Sequence, residues 1–135
     1  MPFKDECGVF GILNKQEAAK QAYLGLYALQ HRGQEATGIC SRENGFLRLH
    51  KAQGYVADVF SESVLESLLG DAAIGHTRYS TYGESLSSAS QPFLVHGRFG
   101  QLALCHNGNL LNTELLRNRL LIEGHTFASA SDSEV

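Results

Sequence analysis

The stretch Asp5-Glu6-Cys7-Gly8-Val9-Phe10-Gly11 governs how the whole chain is read: a cysteine stands just inside the start and apolar residues follow at once. Val9 to Leu13 reads as a short buried strand that would hold Cys7 rigidly, and Gly8 would let backbone approach a bound molecule closely. A thiol of ordinary pKa, about 8.5, is mostly protonated at neutral pH and needs a base to attack a carbonyl carbon. A cysteine at the N-terminus carries that base itself, because its α-amino group titrates at about 7.7 to 8.0 and can take the thiol proton directly or through one water. Cys7 is therefore a candidate nucleophile, on the condition that Met1 to Glu6 is removed. A lone cysteine before an apolar strand is more often a buried core thiol, and these residues alone leave both readings standing.

Composition narrows the surroundings of that cysteine. At 135 residues with 43% hydrophobic content, the chain fits one domain with a modest core. No apolar run is long enough to span a membrane, and Met-Pro-Phe-Lys-Asp-Glu lacks both the charged and the apolar segments of a secretory signal, so the expected location is cytoplasmic. The net charge of -3 has no like-charge block behind it, and the 11 Lys and Arg form no basic stripe. That argues against nucleic acid as a partner. Cys7, Cys40 and Cys105 are odd in number, far apart and without zinc-ligand spacing, so neither a disulfide framework nor a metal site is expected.

Taken in order, Gln16 to Gln30 carries Ala19, Ala22, Tyr23, Leu26 and Tyr27 at helical spacing and predicts an amphipathic helix stopped at Gly33. The polar turn around His31 and Arg32 reads either as a plain helix C-cap or as part of a site. Gly38 to Ser41 and Phe46 to His50 flank Arg42-Glu43-Asn44-Gly45, and Asn-Gly between strand-like runs predicts a hairpin. Ser63-Val64-Leu65-Glu66 has capping-box spacing for a short helix closing at Gly70. Ala72 to Arg78 reads as a small-residue strand that delivers an arginine at its end. Tyr79 to Gln91 is a long polar loop, with a substrate lid favoured over plain disorder.

Beyond it, Gln101 to Cys105 reads as a strand ending in His106-Asn107-Gly108-Asn109. This Asn-Gly is either a mere turn or a side-chain amide beside a glycine N–H, the donor pair that an oxyanion requires. Asn112 or Thr113 would cap a helix running to Glu123, with Leu115, Leu116, Leu120 and Leu121 on one face and Gly124 as its stop. Ser131-Asp132-Ser133-Glu134 again has capping-box spacing, so a helix is expected to begin where the sequence ends, and the fold is expected to be incomplete in this chain.

Five segments in this order, Cys7 to Ile12, Leu29 to Ile39, Gly75 to Thr81, Cys105 to Leu110 and Ser131 to Val135, resemble the glutaminase domain of the amidophosphoribosyltransferase family, a class II glutamine amidotransferase. Gln30-His31-Arg32-Gly33-Gln34-Glu35 separates that family from related amidotransferases with other ammonia acceptors. The residues themselves support only an α+β fold rich in antiparallel strands. The resemblance implies an N-terminal-nucleophile hydrolase, a four-layer α/β/β/α sandwich with antiparallel sheets. It also implies residues 1–6 as a propeptide, residues 7–135 as the N-terminal part of the glutaminase domain, and a phosphoribosyltransferase domain absent from this sequence.

By the same resemblance Cys7 would attack the glutamine side-chain amide and form a glutamyl thioester. Asn107 and Gly108 would supply the oxyanion donors, Arg78 would hold the α-carboxylate with its planar fork, and Asp132 would receive the α-ammonium. His31 and Arg32 would support the site without being catalytic. His106 would at most orient the oxyanion pair, and Cys40 and Cys105 would be core thiols. The partners implied are L-glutamine and, through the absent domain, phosphoribosyl pyrophosphate, in a homo-oligomer when full length. No cofactor is implied within this chain. Mg²⁺ would belong to the absent domain, and the 4Fe-4S cluster of some members would have its ligands outside these residues. One departure is the serine at position 90, where an asparagine commonly precedes Gln91-Pro92.

Overall fold

The computed structural model describes residues 7–79 and 90–135. The expected leader and most of the expected lid lie outside these residues. Among the described residues six strands and four helices are formed: β1 (Gly8–Ile12), α1 (Ala18–Ala28), β2 (Ala36–Glu43), β3 (Phe46–Gln53), α2 (Val56–Val59), α3 (Glu62–Ser67), β4 (Ala72–Arg78), β5 (Phe93–Gly97), β6 (Gly100–Leu104) and α4 (Thr113–Ile122). Single 3₁₀ turns follow α1 (Gln30–Arg32) and close the chain (Asp132–Glu134). The fold is α+β with antiparallel sheets.

A four-stranded sheet in the order β1-β4-β2-β3 forms the platform, and every neighbouring pair in it is antiparallel. Its centre is set by the register Gly8↔Thr77↔Thr37 and Phe10↔Gly75↔Ile39. Side chains alternate across a strand, so Phe10, Ile12, Gly75 and Ile39 face α1, while His76 and Arg78 point to the other side. Ala18, Ala19, Ala22 and Leu26 of α1 are buried with Ile39, Val56, Phe60, Leu68 and Ala73 in one core. Burying an aliphatic side chain of this size contributes about 1.5–3 kcal/mol. The space beside Gly8 is taken by Thr77 Oγ1 and Leu29 Cβ, 2.8 and 3.0 Å from where a Cβ would sit. This glycine therefore serves the contact between helix and sheet and does not open room for a ligand.

Local signals placed several boundaries well and others poorly. The β2–β3 hairpin turns at Asn44-Gly45 with φ of 50° and 83°, positive at both central residues, as a two-residue I′ connection needs. β4 covers the residues read as its strand. α4 ends at Gly124 with paired bonds from His125 N to Leu120 O and from Gly124 N to Leu121 O, the Schellman pattern. α3, in contrast, is capped by Ser61, whose Oγ accepts from Val64 N at 3.3 Å, two residues before the serine expected to do so. α1 ends at Ala28, and Tyr27, expected on its inner face, is 57% exposed. Gly33 caps the 3₁₀ turn that follows α1, its N–H donating to the Gln30 carbonyl at 3.2 Å, and not α1 itself. Its φ is −154°, extended backbone, and a Cβ there would lie 2.6–2.8 Å from backbone atoms of Thr77 and Arg78.

Two further differences concern the second half. β5, from Phe93 to Gly97, was not expected, and it pairs with β6 as a separate two-stranded sheet. Gln101 ties this hairpin to the platform by accepting from Leu47 N at 2.8 Å. The apolar face of α4 is only partly covered: Leu116 and Leu120 are half-buried, whereas Leu115 is 72% exposed. Among the described residues no helix is long and apolar enough to cross a membrane.

Candidate active site

β1 and β4 lie side by side, so the start of one strand meets the end of the other. Cys7 precedes β1 and Arg78 ends β4, and this antiparallel pairing alone brings them to the same edge of the platform. The loop after β6 and the closing turn then fold over that edge. The result is a cavity of about 640 Å³ lined by Cys7, Arg32, His76, Arg78, Asn107, Gly108 and Asp132 among others. All five residues expected in the site thus surround one polar cavity. A second hollow of about 450 Å³, between the platform and β6, is lined mainly by apolar residues and contains none of them.

Cys7 has a φ of 53°, and its thiol faces the Tyr79 carbonyl at 3.9 Å. Arg32, on the 3₁₀ turn after α1, donates from Nε to the Cys7 carbonyl at 2.9 Å. This contact fits the supporting role expected of Arg32, while the neighbouring His31 is exposed and does not line the cavity. Arg78 is 8% exposed, which sets its guanidinium into the cavity wall and not on the surface.

Asp132 opens the closing turn. Its Oδ2 accepts from Leu110 N at 2.6 Å and its Oδ1 from Ser133 Oγ at 3.3 Å, so both the turn and the Asn109–Leu110 loop depend on this carboxylate. The capping pattern is only half realised here. Ser131 Oγ accepts from Ser133 N at 3.2 Å, but Glu134 turns back to Ala128 N and Ser129 N at 2.6 and 2.7 Å. Arg117 of α4 donates to the carbonyls of Ser129 and Ser131 and secures the same segment.

Sequence reasoning passed over two residues that hold the Asn107-Gly108 turn. Gln91, 9% exposed, places its amide against His106: Nε2 donates to the His106 carbonyl at 3.1 Å and Oε1 accepts from its N–H at 2.6 Å. His76, 1% exposed, donates from Nε2 to Asn107 Oδ1 at 3.0 Å. The available signal for His76 was strand alternation, since it lies two residues before Arg78 and shares its face. Burial pushes the His76 pKa down from 6.5 to about 4. The hydrogen bonds to Asn107 and to the His106 backbone oppose the shift, while the Arg78 charge and His106 add to it. His106 bonds Ser133 Oγ through Nδ1 at 3.0 Å and stands 4.0 Å from Asp132 Oδ1.

Burial also raises the Cys40 and Cys105 thiols, to about 11 and about 12. Both are therefore poor nucleophiles at neutral pH. Among the described residues no three His, Cys, Asp or Glu side chains gather as a metal site.

Residues 61–135 match the glutamine amidotransferase domain model. The amidophosphoribosyltransferase of Synechococcus elongatus is 48% identical over 98% of this chain and 27% of its own length. That of Methanocaldococcus jannaschii is 46% identical over 96% and 28%. A solved structure described as the allosteric regulatory enzyme of purine biosynthesis superposes with a TM-score of 0.87 at 43% identity, covering 93% of this chain and 27% of that one. The chain thus spans about a quarter of the length of these relatives, and it belongs to the glutamine amidotransferase domain family.

Proposed function

We propose that this chain carries the glutamine-hydrolysing site of an amidophosphoribosyltransferase. In the whole reaction glutamine, phosphoribosyl pyrophosphate and water give phosphoribosylamine, glutamate and pyrophosphate. The observation that carries the reading is the convergence of Cys7, Arg78, Asn107, Gly108 and Asp132 from four separated segments on one polar cavity. Glutamine is a zwitterion with a neutral amide at its far end, and a cavity with an arginine, a carboxylate, a thiol and an amide donor pair matches each of its parts.

With Met1 to Glu6 removed, the Cys7 α-amine takes the thiol proton and the sulfur bonds to the amide carbon. Negative charge gathers on the amide oxygen, to which the Asn107 side-chain N–H and the Gly108 backbone N–H donate two hydrogen bonds. Losing one such donor typically costs about a hundredfold or more in rate. The carbon–nitrogen bond then breaks, the amine returns its proton to the departing ammonia, and a thioester remains. Water attacks the thioester, releasing glutamate and restoring the thiol. Ammonia passes to the phosphoribosyltransferase domain and displaces pyrophosphate there. Arg78 and Asp132 hold the α-carboxylate and α-ammonium throughout, binding ground and transition states alike.

The test is the intact mass of the purified protein followed by glutamate release from L-glutamine. The expected result is a chain beginning at Cys7 that releases glutamate, with release abolished in Cys7→Ala. In Arg78→Lys and Asp132→Asn, KM for glutamine should rise more than kcat falls. A processed chain that releases no glutamate, or a Cys7→Ala variant as active as its parent, overturns the reading.

A further inference from the structure

We infer that His76 is a positioning residue that sets which end of the Asn107 carboxamide faces the cavity; this rests on the glutaminase reading above. The two ends of a carboxamide are nearly identical in size, so packing cannot tell them apart. Only a partner that strictly donates or strictly accepts can do so. An oxyanion needs the N–H₂ end of Asn107, and a rotated amide would present its carbonyl oxygen to developing negative charge instead.

His76 is built to make that distinction. Its Nε2 lies 3.0 Å from Asn107 Oδ1, and since a carbonyl oxygen only accepts, the proton resides on Nε2. Burial keeps the ring neutral, so it has one proton, and Nδ1 is bare. Among the described residues Nδ1 has no hydrogen-bond partner. The ring also reaches the His106 backbone, and its contact with Asn107 holds Oδ1 away from the cavity and leaves the N–H₂ end to face it. The support is stiff on both sides. His76 lies within β4, paired with Val9 of β1 and Gly38 of β2, and the residue before Asn107 is held through both backbone groups by Gln91.

The experiment measures steady-state glutamine hydrolysis by the protein as its gene encodes it, in His76→Leu, His76→Gln, Asn107→Ala and the double variant His76→Leu/Asn107→Ala. Leucine fills the volume without a donor, whereas glutamine can return an N–H near the Nε2 position. In His76→Leu, kcat should fall about ten- to a hundredfold, the range seen when an outer residue that orients a reacting group is lost. KM and inhibition by glutamate should stay within about threefold, and His76→Gln should recover most of kcat. Alkylation of Cys7 by iodoacetamide, which builds no oxyanion, should be unchanged. In the Asn107→Ala background His76→Leu should cost less than about twofold, because there is no amide left to orient.

An unchanged kcat in His76→Leu overturns the inference, as does a full additive loss in the double variant or an equal loss in His76→Gln. If His76→Leu does not melt cooperatively, His76→Asn, whose shorter amide cannot reach Asn107, takes its place with the same expectations. Failure of the underlying reading looks different: Cys7→Ala and Asn107→Ala would then hydrolyse glutamine as well as the parent.

Discussion

Lowering the pH from 7 to 4 should withdraw stability through His76. The folded-state pKa of this histidine is held near 4, against 6.5 for a free side chain. The unfolded chain therefore takes up a proton on the way down while the folded chain does not. The sign follows from linkage: stability rises with pH wherever the unfolded state binds more protons, so it is fully present above 6.5 and is lost as pH falls toward the folded value. The gap of about 2.5 pH units, at about 1.4 kcal/mol each, amounts to about 3 kcal/mol at full effect. That is a large share of the roughly 5–15 kcal/mol that holds a typical domain together. The contribution survives solvent screening because the residue is 1% exposed. Urea denaturation in steps from pH 7.5 to 4, on the parent and on His76→Gln, isolates it from the carboxylates that titrate in both. The parent curve should fall more steeply by about 3 kcal/mol over the range, with equal m-values. Parallel curves would refute the reasoning, since they would mean that His76 is hydrated or charged in the folded protein.

Two other substitutions probe the support of the site. Gly33→Ala would press a Cβ to within 2.6–2.8 Å of Thr77 and Arg78 backbone atoms. It should destabilise the protein by about 1–3 kcal/mol, as overpacking does, and raise KM for glutamine by displacing Arg78; urea melts and steady-state kinetics measure both. Gln91→Leu would strip His106 of two hydrogen bonds, at 2.6 and 3.1 Å, in a half-buried place. It should cost about 1–3 kcal/mol in denaturation and lower kcat more than it raises KM, because the turn bearing Asn107 and Gly108 loosens.

Much of the fold was legible because its signals are local. Asn44-Gly45 specifies a turn through the backbone angles those two residues tolerate. Ala72 to Arg78 is bounded by Gly70-Asp71 on one side and a polar loop on the other, and it reads as a strand without reference to a partner. The misplaced boundaries have local competitors. Ser61 and Ser63 both offer a capping oxygen, and only the path of the chain out of α2 decides between them. β5 was missed because Phe93 to Gly97 is a short run with a pattern no stronger than that of many loops, and its strand character comes from pairing with β6.

The site divides along the same line. Residue chemistry alone left Cys7 as either a nucleophile awaiting a free amine or a core thiol, and Asn107-Gly108 as either a turn or a donor pair. The family resemblance narrowed those choices and added the expected roles of Arg78 and Asp132. What the sequence by itself determined was the inventory: one cysteine near the start, an arginine closing a strand, an Asn-Gly after another, and a carboxylate in a serine-capped turn. Only the tertiary structure decided that these lie around one cavity, that Gly33 yields room to β4, and that His76 and Gln91 grip the turn from below. Local backbone preferences act over a few residues, whereas a site joining Cys7 to Asp132 depends on the register of β1 against β4 and on which loops fold over that edge, and these are set by packing across the whole chain.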